Sequence, residues 1–123
     1  MQKILIVDDS TLFRKTLKAS LHSKFPSFII SEAKDGEEAM RTIPDFLPDL
    51  IFMDIRLPDA NGLELTRKIK DLYPDIKVVV LTNYDLPEYR KAVFQYKADH
   101  CAPKDSFMTL VELILAQSPD DSH

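Results

Sequence analysis

Five residues able to do chemistry stand at the ends of short apolar blocks. Asp8 and Asp9 follow Ile4-Leu5-Ile6-Val7, Asp54 follows Leu50-Ile51-Phe52-Met53, and Thr82 follows Val78-Val79-Val80-Leu81. Lys104 stands just beyond a weaker stretch, Ala98 to Ala102. Three carboxylates brought together repel, and in isolation some would take up protons. A divalent cation removes that conflict. Oxygen-only ligation with open positions suits Mg²⁺, which keeps several waters and bridges to phosphoryl groups. A carboxylate beside such an ion and a lysine can act as a nucleophile and form an aspartyl phosphate. The chemistry is in-line phosphoryl transfer, in which positioning and charge neutralisation supply most of the catalysis. Asp9 would hold the ion and Asp8 would reach it directly or through water. Lys104 would neutralise phosphoryl oxygens, and the Thr82 hydroxyl would donate to another. Taken singly, each residue has a plainer reading. Asp9 could cap the first helix, Thr82 could end a strand, and Lys104 could be a surface lysine. Their weight comes from falling together at successive block ends.

That grouping requires elements that bring the ends to one edge. The four-residue blocks are bounded by polar residues and suit strands buried on both faces, as in a parallel sheet. Phe28-Ile29-Ile30, passing into Ser31-Glu32-Ala33, predicts an edge strand. Between the blocks the period turns helical. Phe13, Leu17 and Leu21 recur every four residues; Leu65, Ile69 and Leu72, then Tyr89, Ala92, Val93 and Tyr96, then Phe107, Val111 and Ile114 mark further one-faced helices. Residues 36–43 predict a shorter one. Asp35 before Glu38, Asn61 before Glu64 and Asp85 before Glu88 have capping-box spacing, and Pro87 sits where a first-turn proline is tolerated. Strand–helix alternation repeated five times predicts a single parallel α/β sheet with helices on both faces. In such doubly wound sheets ligands bind outside the carboxyl ends of the strands.

The chain has 123 residues, 45% hydrophobic and 29% charged, which fits one folded domain and excludes a disordered or collagen-like chain. A net charge of −4 argues against a primary nucleic-acid binder. One Cys and three scattered His exclude a disulfide framework and a zinc cluster. The apolar runs are too short for a membrane span, and the N-terminal one is too short for a signal peptide, so a cytoplasmic location is expected. Residues 1–117 form the expected domain, and the polar stretch 118–123 the expected flexible tail.

At these residues the sequence resembles the receiver domain of two-component response regulators. The resemblance rests on Lys3 to Asp9, on Asp49 to Pro58 with Gly62, on Val79 to Thr82, and on Lys97 to Asp99 through Lys104-Asp105. It implies a flavodoxin-like sheet with strand order 2-1-3-4-5. It also implies that Asp54 is the phosphoacceptor, that Asp8, Asp9, Asp54 and the backbone carbonyl of Arg56 ligate Mg²⁺, and that Thr82 and Lys104 sense the phosphoryl group. The implied donor is a phosphohistidine on a sensor histidine kinase, and the implied enzymology is self-phosphorylation with slow self-dephosphorylation. A homodimer through the fourth helix, fifth strand and fifth helix is a further expectation. Asp105 after Lys104 is similar to the subgroup joined to helix-turn-helix outputs; this domain itself is not expected to bind nucleic acid or membrane.

Several positions depart from the family pattern. Cys101 stands where a switch Tyr or Phe is usual, Asn83 where a small residue is usual, and Lys97 and His100 where glycine is frequent. These departures motivate an alternative, a phosphorylation-independent interaction module on the same fold. A phosphatase of the aspartyl-phosphate type is disfavoured because Asp8 and Asp9 are adjacent and residue 10 is Ser10. A flavin or dinucleotide site is disfavoured because no glycine-rich phosphate loop follows any strand. Arg14, Lys15 and Lys18 read as a small basic patch on the first helix, either a solvated face or, as the resemblance implies, a face turned toward the kinase. Tyr84, Tyr89 and Tyr96 read as core or as an interaction face, and Arg56 as a residue that tunes attack by water or a rim residue.

Overall fold

The structure, a computed structural model, describes residues 2–82 and 87–104. Its elements run β1 (Lys3–Val7), α1 (Thr11–Lys24), β2 (Ile29–Ala33), α2 (Gly36–Phe46), β3 (Leu50–Asp54), α3 (Gly62–Leu72), β4 (Lys77–Thr82), α4 (Pro87–Gln95) and β5 (His100–Pro103). The five strands form one parallel sheet in the order β2-β1-β3-β4-β5. Both the expected class and the expected order are observed.

The solid apolar blocks resolve into two faces because successive strand side chains point opposite ways. Leu5, Val7, Ile51, Met53, Val78 and Val80 pack with Ala39 and Ile43 of α2, with Leu63, Leu65 and Ile69 of α3, and with Val93 of α4. Ile4, Ile6, Leu50, Phe52, Val79, Leu81 and Ala102 pack with Leu17 and Leu21 of α1. Each block serves two cores, which is why it could not alternate with polar residues. Truncating one of these fully buried side chains to alanine typically costs about 2–5 kcal/mol.

Local signals set the helix starts. Ser10 caps α1 by accepting from Phe13 N, so Asp9 does not cap it. Asp35 caps α2 by accepting from Glu38 N, and Asn61 caps α3 by accepting from Leu63 N and Glu64 N. The Glu38 carboxylate reaches back one residue further than a capping box requires, accepting from Lys34 N at 3.2 Å. Two exits use left-handed backbone without glycine: Leu47 (φ 48) after α2 and Lys97 (φ 69) after α4.

Boundaries differ from the sequence pattern in two places. Phe28 precedes β2 and stacks on Phe25, ring centroids 4.6 Å apart, because the chain is still leaving α1. The fifth strand starts at His100, not Ala98, since the Ala98 amide still donates to Val93 O in the helix exit. Residues 83–86, with Asn83, Tyr84 and Asp85, and residues 105–123, with the expected fifth helix and tail, lie outside the described residues. Among the described residues no helix is long and apolar enough to cross a membrane.

Candidate functional site

The parallel sheet delivers the chemically capable residues to its carboxyl edge. Asp8 follows β1 and extends its ladder, its amide donating to Ala33 O at 3.1 Å. Asp54 ends the adjacent strand β3, Thr82 ends β4, and Lys104 follows β5. Asp8 continues the alternation of Ile4 and Ile6, Asp54 that of Leu50 and Phe52, and Lys104 that of Ala102. All three therefore emerge on the α1 side of the sheet.

This shared side brings the ammonium onto the carboxylates. Lys104 Nζ lies 2.6 Å from Asp8 Oδ2 and 3.4 Å from Asp54 Oδ2, with the Phe13 ring of α1 centred 4.7 Å away. Asp8 is 1% and Asp54 7% exposed, while Asp9 is exposed. Asp8, Asp9 and Asp54 each offer a carboxylate oxygen within 4.8 Å of the others. Three carboxylates against one ammonium leave negative charge in excess. Burial and the neighbouring Asp8 charge raise the Asp54 carboxyl above its ordinary range, against the pull of Lys104 and of the Arg56 amide. Burial works against the Lys104 ammonium, but its hydrogen bond to Asp8 and the charge of Asp54 outweigh it, and its pKa is raised. An oxygen-only donor set with excess negative charge fits a hard divalent cation.

The loop after β3 is shaped around Asp54. Asp54 Oδ1 accepts from Arg56 N at 3.3 Å, Gly62 N donates to Ile55 O at 2.7 Å, and Arg56 bridges to Asn61. A Cβ on Gly62 would lie 2.0 Å from the Asp54 carbonyl oxygen, so only glycine lets the start of α3 close against the end of β3. Thr82 is buried at the end of β4, and its carbonyl accepts from Lys104 N at 3.0 Å. Cys101 is half-buried against the core that holds Val93 and Ala98.

Two contacts escaped the sequence. Asp59, in the same loop, accepts from Gly36 N and Glu37 N at 2.8 and 2.9 Å and ties the loop to the start of α2. Those amides hold its carboxyl below the ordinary range. Arg14 is not part of a solvated basic patch. Its side chain is 11% exposed, pairs with Glu32 at 3.0 Å, and donates to the Asp8 carbonyl. The one available signal was Glu32, the single charged residue of β2. Tyr96 is half-buried against the core and carries the Arg67 guanidinium 4.7 Å above its ring.

Known proteins with this arrangement are numerous. The family model described as the response regulator receiver domain matches residues 4–115. The transcriptional regulatory protein DegU of Brevibacillus brevis is 39% identical over 87 residues, 71% of this chain and 37% of that protein. The response regulator TrrA of Thermotoga maritima, solved in complex with Mg(2+)-BeF, is 33% identical with a TM-score of 0.82, covering 94% of this chain and 97% of that one. A response regulator of Burkholderia pseudomallei, solved with a phosphorylated aspartic acid, a calcium ion and citrate, is 27% identical with a TM-score of 0.81, covering 99% and 69%. The chain thus spans little more than a third of the curated relative DegU. With the sheet order, the acidic edge and the matched span all in agreement, the chain belongs to the receiver domain family of two-component response regulators.

Proposed function

We propose that this domain accepts a phosphoryl group on Asp54 and uses it to switch a partner or an attached output domain. The observation that carries this reading is the buried Asp54 carboxylate, which shares the Lys104 ammonium with Asp8 at the carboxyl edge of the sheet. Asp8, Asp9, Asp54 and the backbone carbonyl of Arg56 would hold Mg²⁺, which when bound neutralises charge on the phosphoryl oxygens. The chain's own groups do the rest. The Arg56 amide fixes the plane of the Asp54 carboxylate through Oδ1. An Asp54 oxygen bonds to phosphorus as the phosphorus–nitrogen bond of a donor phosphohistidine breaks, and the imidazole nitrogen keeps the electron pair. Lys104 leaves Asp8 and Asp54 for a phosphoryl oxygen, and the Thr82 hydroxyl donates to another. That exchange of partners is the difference in contacts a two-state switch requires.

The donor on this reading is a sensor histidine kinase, and the location is the cytoplasm. The output is a transcription-controlling domain, as the name of the transcriptional regulatory protein DegU suggests, of the helix-turn-helix kind that Asp105 after Lys104 implies. A homodimer through α4, β5 and the region after it completes the proposal. The test is incubation with Mg²⁺ and acetyl phosphate, read by intact mass. The wild type should gain one phosphoryl group, and Asp54→Asn and chelated wild type should gain none. A modification that survives in Asp54→Asn, or an unmodified wild type, refutes it. The alternative of a phosphorylation-independent module draws on Cys101, which lacks a ring to rotate. Against it stands the gathering of Asp8, Asp9, Asp54 and Lys104, for which a pure binding module has no chemical use.

A further inference from the structure

We infer that Arg14 is a positioning residue for the Asp8–Asp9 pair, and that Glu32 orients it. This rests on the metal-site reading above. The Asp8 carbonyl and the Asp9 amide belong to one planar peptide unit. Arg14 Nη1 donates to that carbonyl at 2.5 Å, while the Asp8 amide donates to Ala33 O at 3.1 Å. The backbone of Asp8 is thus held on both sides. Its side chain is held as well, by Ser10 N at 2.8 Å and by Lys104 at 2.6 Å. Asp9 has no burial to direct it, being exposed. Its departure from the strand end is set by the peptide plane that Arg14 pins.

The guanidinium is itself clamped. Arg14 Nε donates to Glu32 Oε1 at 3.0 Å, and Nη2 reaches Thr11 Oγ1 at 3.4 Å. Glu32 sits opposite Ile6 on the neighbouring strand, and its second oxygen takes Lys15 at 2.9 Å and faces Lys18 at 3.8 Å. Burial opposes the Glu32 anion, but Lys15 and Arg14 outweigh it and hold the carboxyl below its ordinary range. The planar fork holds the Glu32 carboxylate through Nε and the Asp8 carbonyl through Nη1 on two separate, rigidly spaced nitrogens, a spacing that the single nitrogen of a lysine does not reproduce.

The sign of the effect separates positioning from charge. A fixed cation beside a cation site repels the ion, so if charge alone acts Arg14→Lys, which keeps the charge, should leave Mg²⁺ binding unchanged, and removing a nearby cation should tighten it. A positioning role predicts weaker binding. The experiment titrates Mg²⁺ into the metal-free 123-residue chain by calorimetry, for wild type, Arg14→Lys, Glu32→Gln and Lys18→Ala, with the Asp9 amide shift and thermal midpoint recorded before metal is added. Arg14→Lys and Glu32→Gln should each bind Mg²⁺ about tenfold more weakly and move the Asp9 amide. Lys18→Ala should stay within about twofold of wild type. Equal or tighter binding by Arg14→Lys, an unmoved Asp9 amide, or an equal weakening by Lys18→Ala overturns the inference. Should Arg14→Lys fail to fold, wild-type affinity in Glu32→Gln overturns it. A wild type without Mg²⁺ affinity overturns the metal-site reading and this inference together, whereas a binding wild type matched by its variants overturns this inference alone.

Discussion

Two lysines, one at each edge of the sheet, are buried to almost the same degree and live in opposite circumstances. Lys70 is 12% exposed at the amino edge and Lys104 is 14% exposed at the carboxyl edge. Lys70 Nζ donates to Pro74 O, Ile76 O and Asp99 Oδ2 at 3.1, 2.8 and 2.9 Å, so each of its three hydrogens has an acceptor and one carboxylate balances its charge. Asp99 Oδ2 also accepts from Val78 N at 2.9 Å, which closes the latch onto β4. Lys104 instead faces a cluster of carboxylates that it cannot neutralise alone. The same residue types therefore make a staple where charges balance and a poised site where they do not. That excess of negative charge is what a divalent cation would relieve.

That contrast can be broken or sharpened by measurement. The largest expected effect is ligand stabilisation confined to the carboxyl edge. Mg²⁺ at a hundred times its dissociation constant should raise the unfolding free energy of the wild type by about 2.7 kcal/mol, and that of Lys70→Ala by the same increment. Urea titrations with and without Mg²⁺ decide this, and an increment that shrinks in Lys70→Ala would mean the two edges are coupled. Next comes Lys70→Ala itself, which strands two carbonyls and a carboxylate and should cost about 2 kcal/mol without metal. A loss near zero in the same urea assay would remove the staple reading.

Asp54→Asn should move stability the other way, by about 1 kcal/mol at neutral pH in the absence of metal. Because the folded state raises the Asp54 pKa, its ionisation opposes folding. That penalty is absent below the unfolded value near about 4, grows as pH rises, and is complete above the folded value. The gain of the variant over wild type should accordingly vanish on acidification. A gain that persists at low pH, in thermal midpoints taken across a pH series, contradicts the charge account. The smallest effect is expected from Lys97→Gly. Lys97 holds φ 69, where a side chain is strained, and its exposed pair with Asp71 offsets little of that. The variant should gain about 0.5 kcal/mol with Mg²⁺ affinity unchanged, because strain at the amino edge serves no chemistry. A stability loss would show that the Asp71 pair matters more than the backbone.

Much of this was legible before any coordinates. Apolar blocks of four residues announced strands buried on both faces, and Asn61 and Asp35 announced helix starts that the structure places where expected. Asp8, Asp54, Thr82 and Lys104 were legible as strand-end residues because a parallel sheet sends all its carboxyl ends one way. Arg14 was misread as solvated. Helical spacing reports the angle at which a side chain leaves its helix, but a long side chain can fold back to partners that spacing does not reveal. Asp59 was missed for a related reason, since its acceptor role depends on how the loop after β3 lies against α2.

The order of apolar blocks and periodic stretches by itself determined the layered parallel sheet and which residues would reach its carboxyl edge, because period and chain direction are properties of consecutive residues. Tertiary structure alone decided which charges meet there. Asp8 and Lys104 are 96 residues apart in the chain, and only register and strand order put an ammonium 2.6 Å from a buried carboxylate. The same packing turned Arg14 inward onto the Asp8 carbonyl, a contact that exists only once β1, β2 and α1 are assembled.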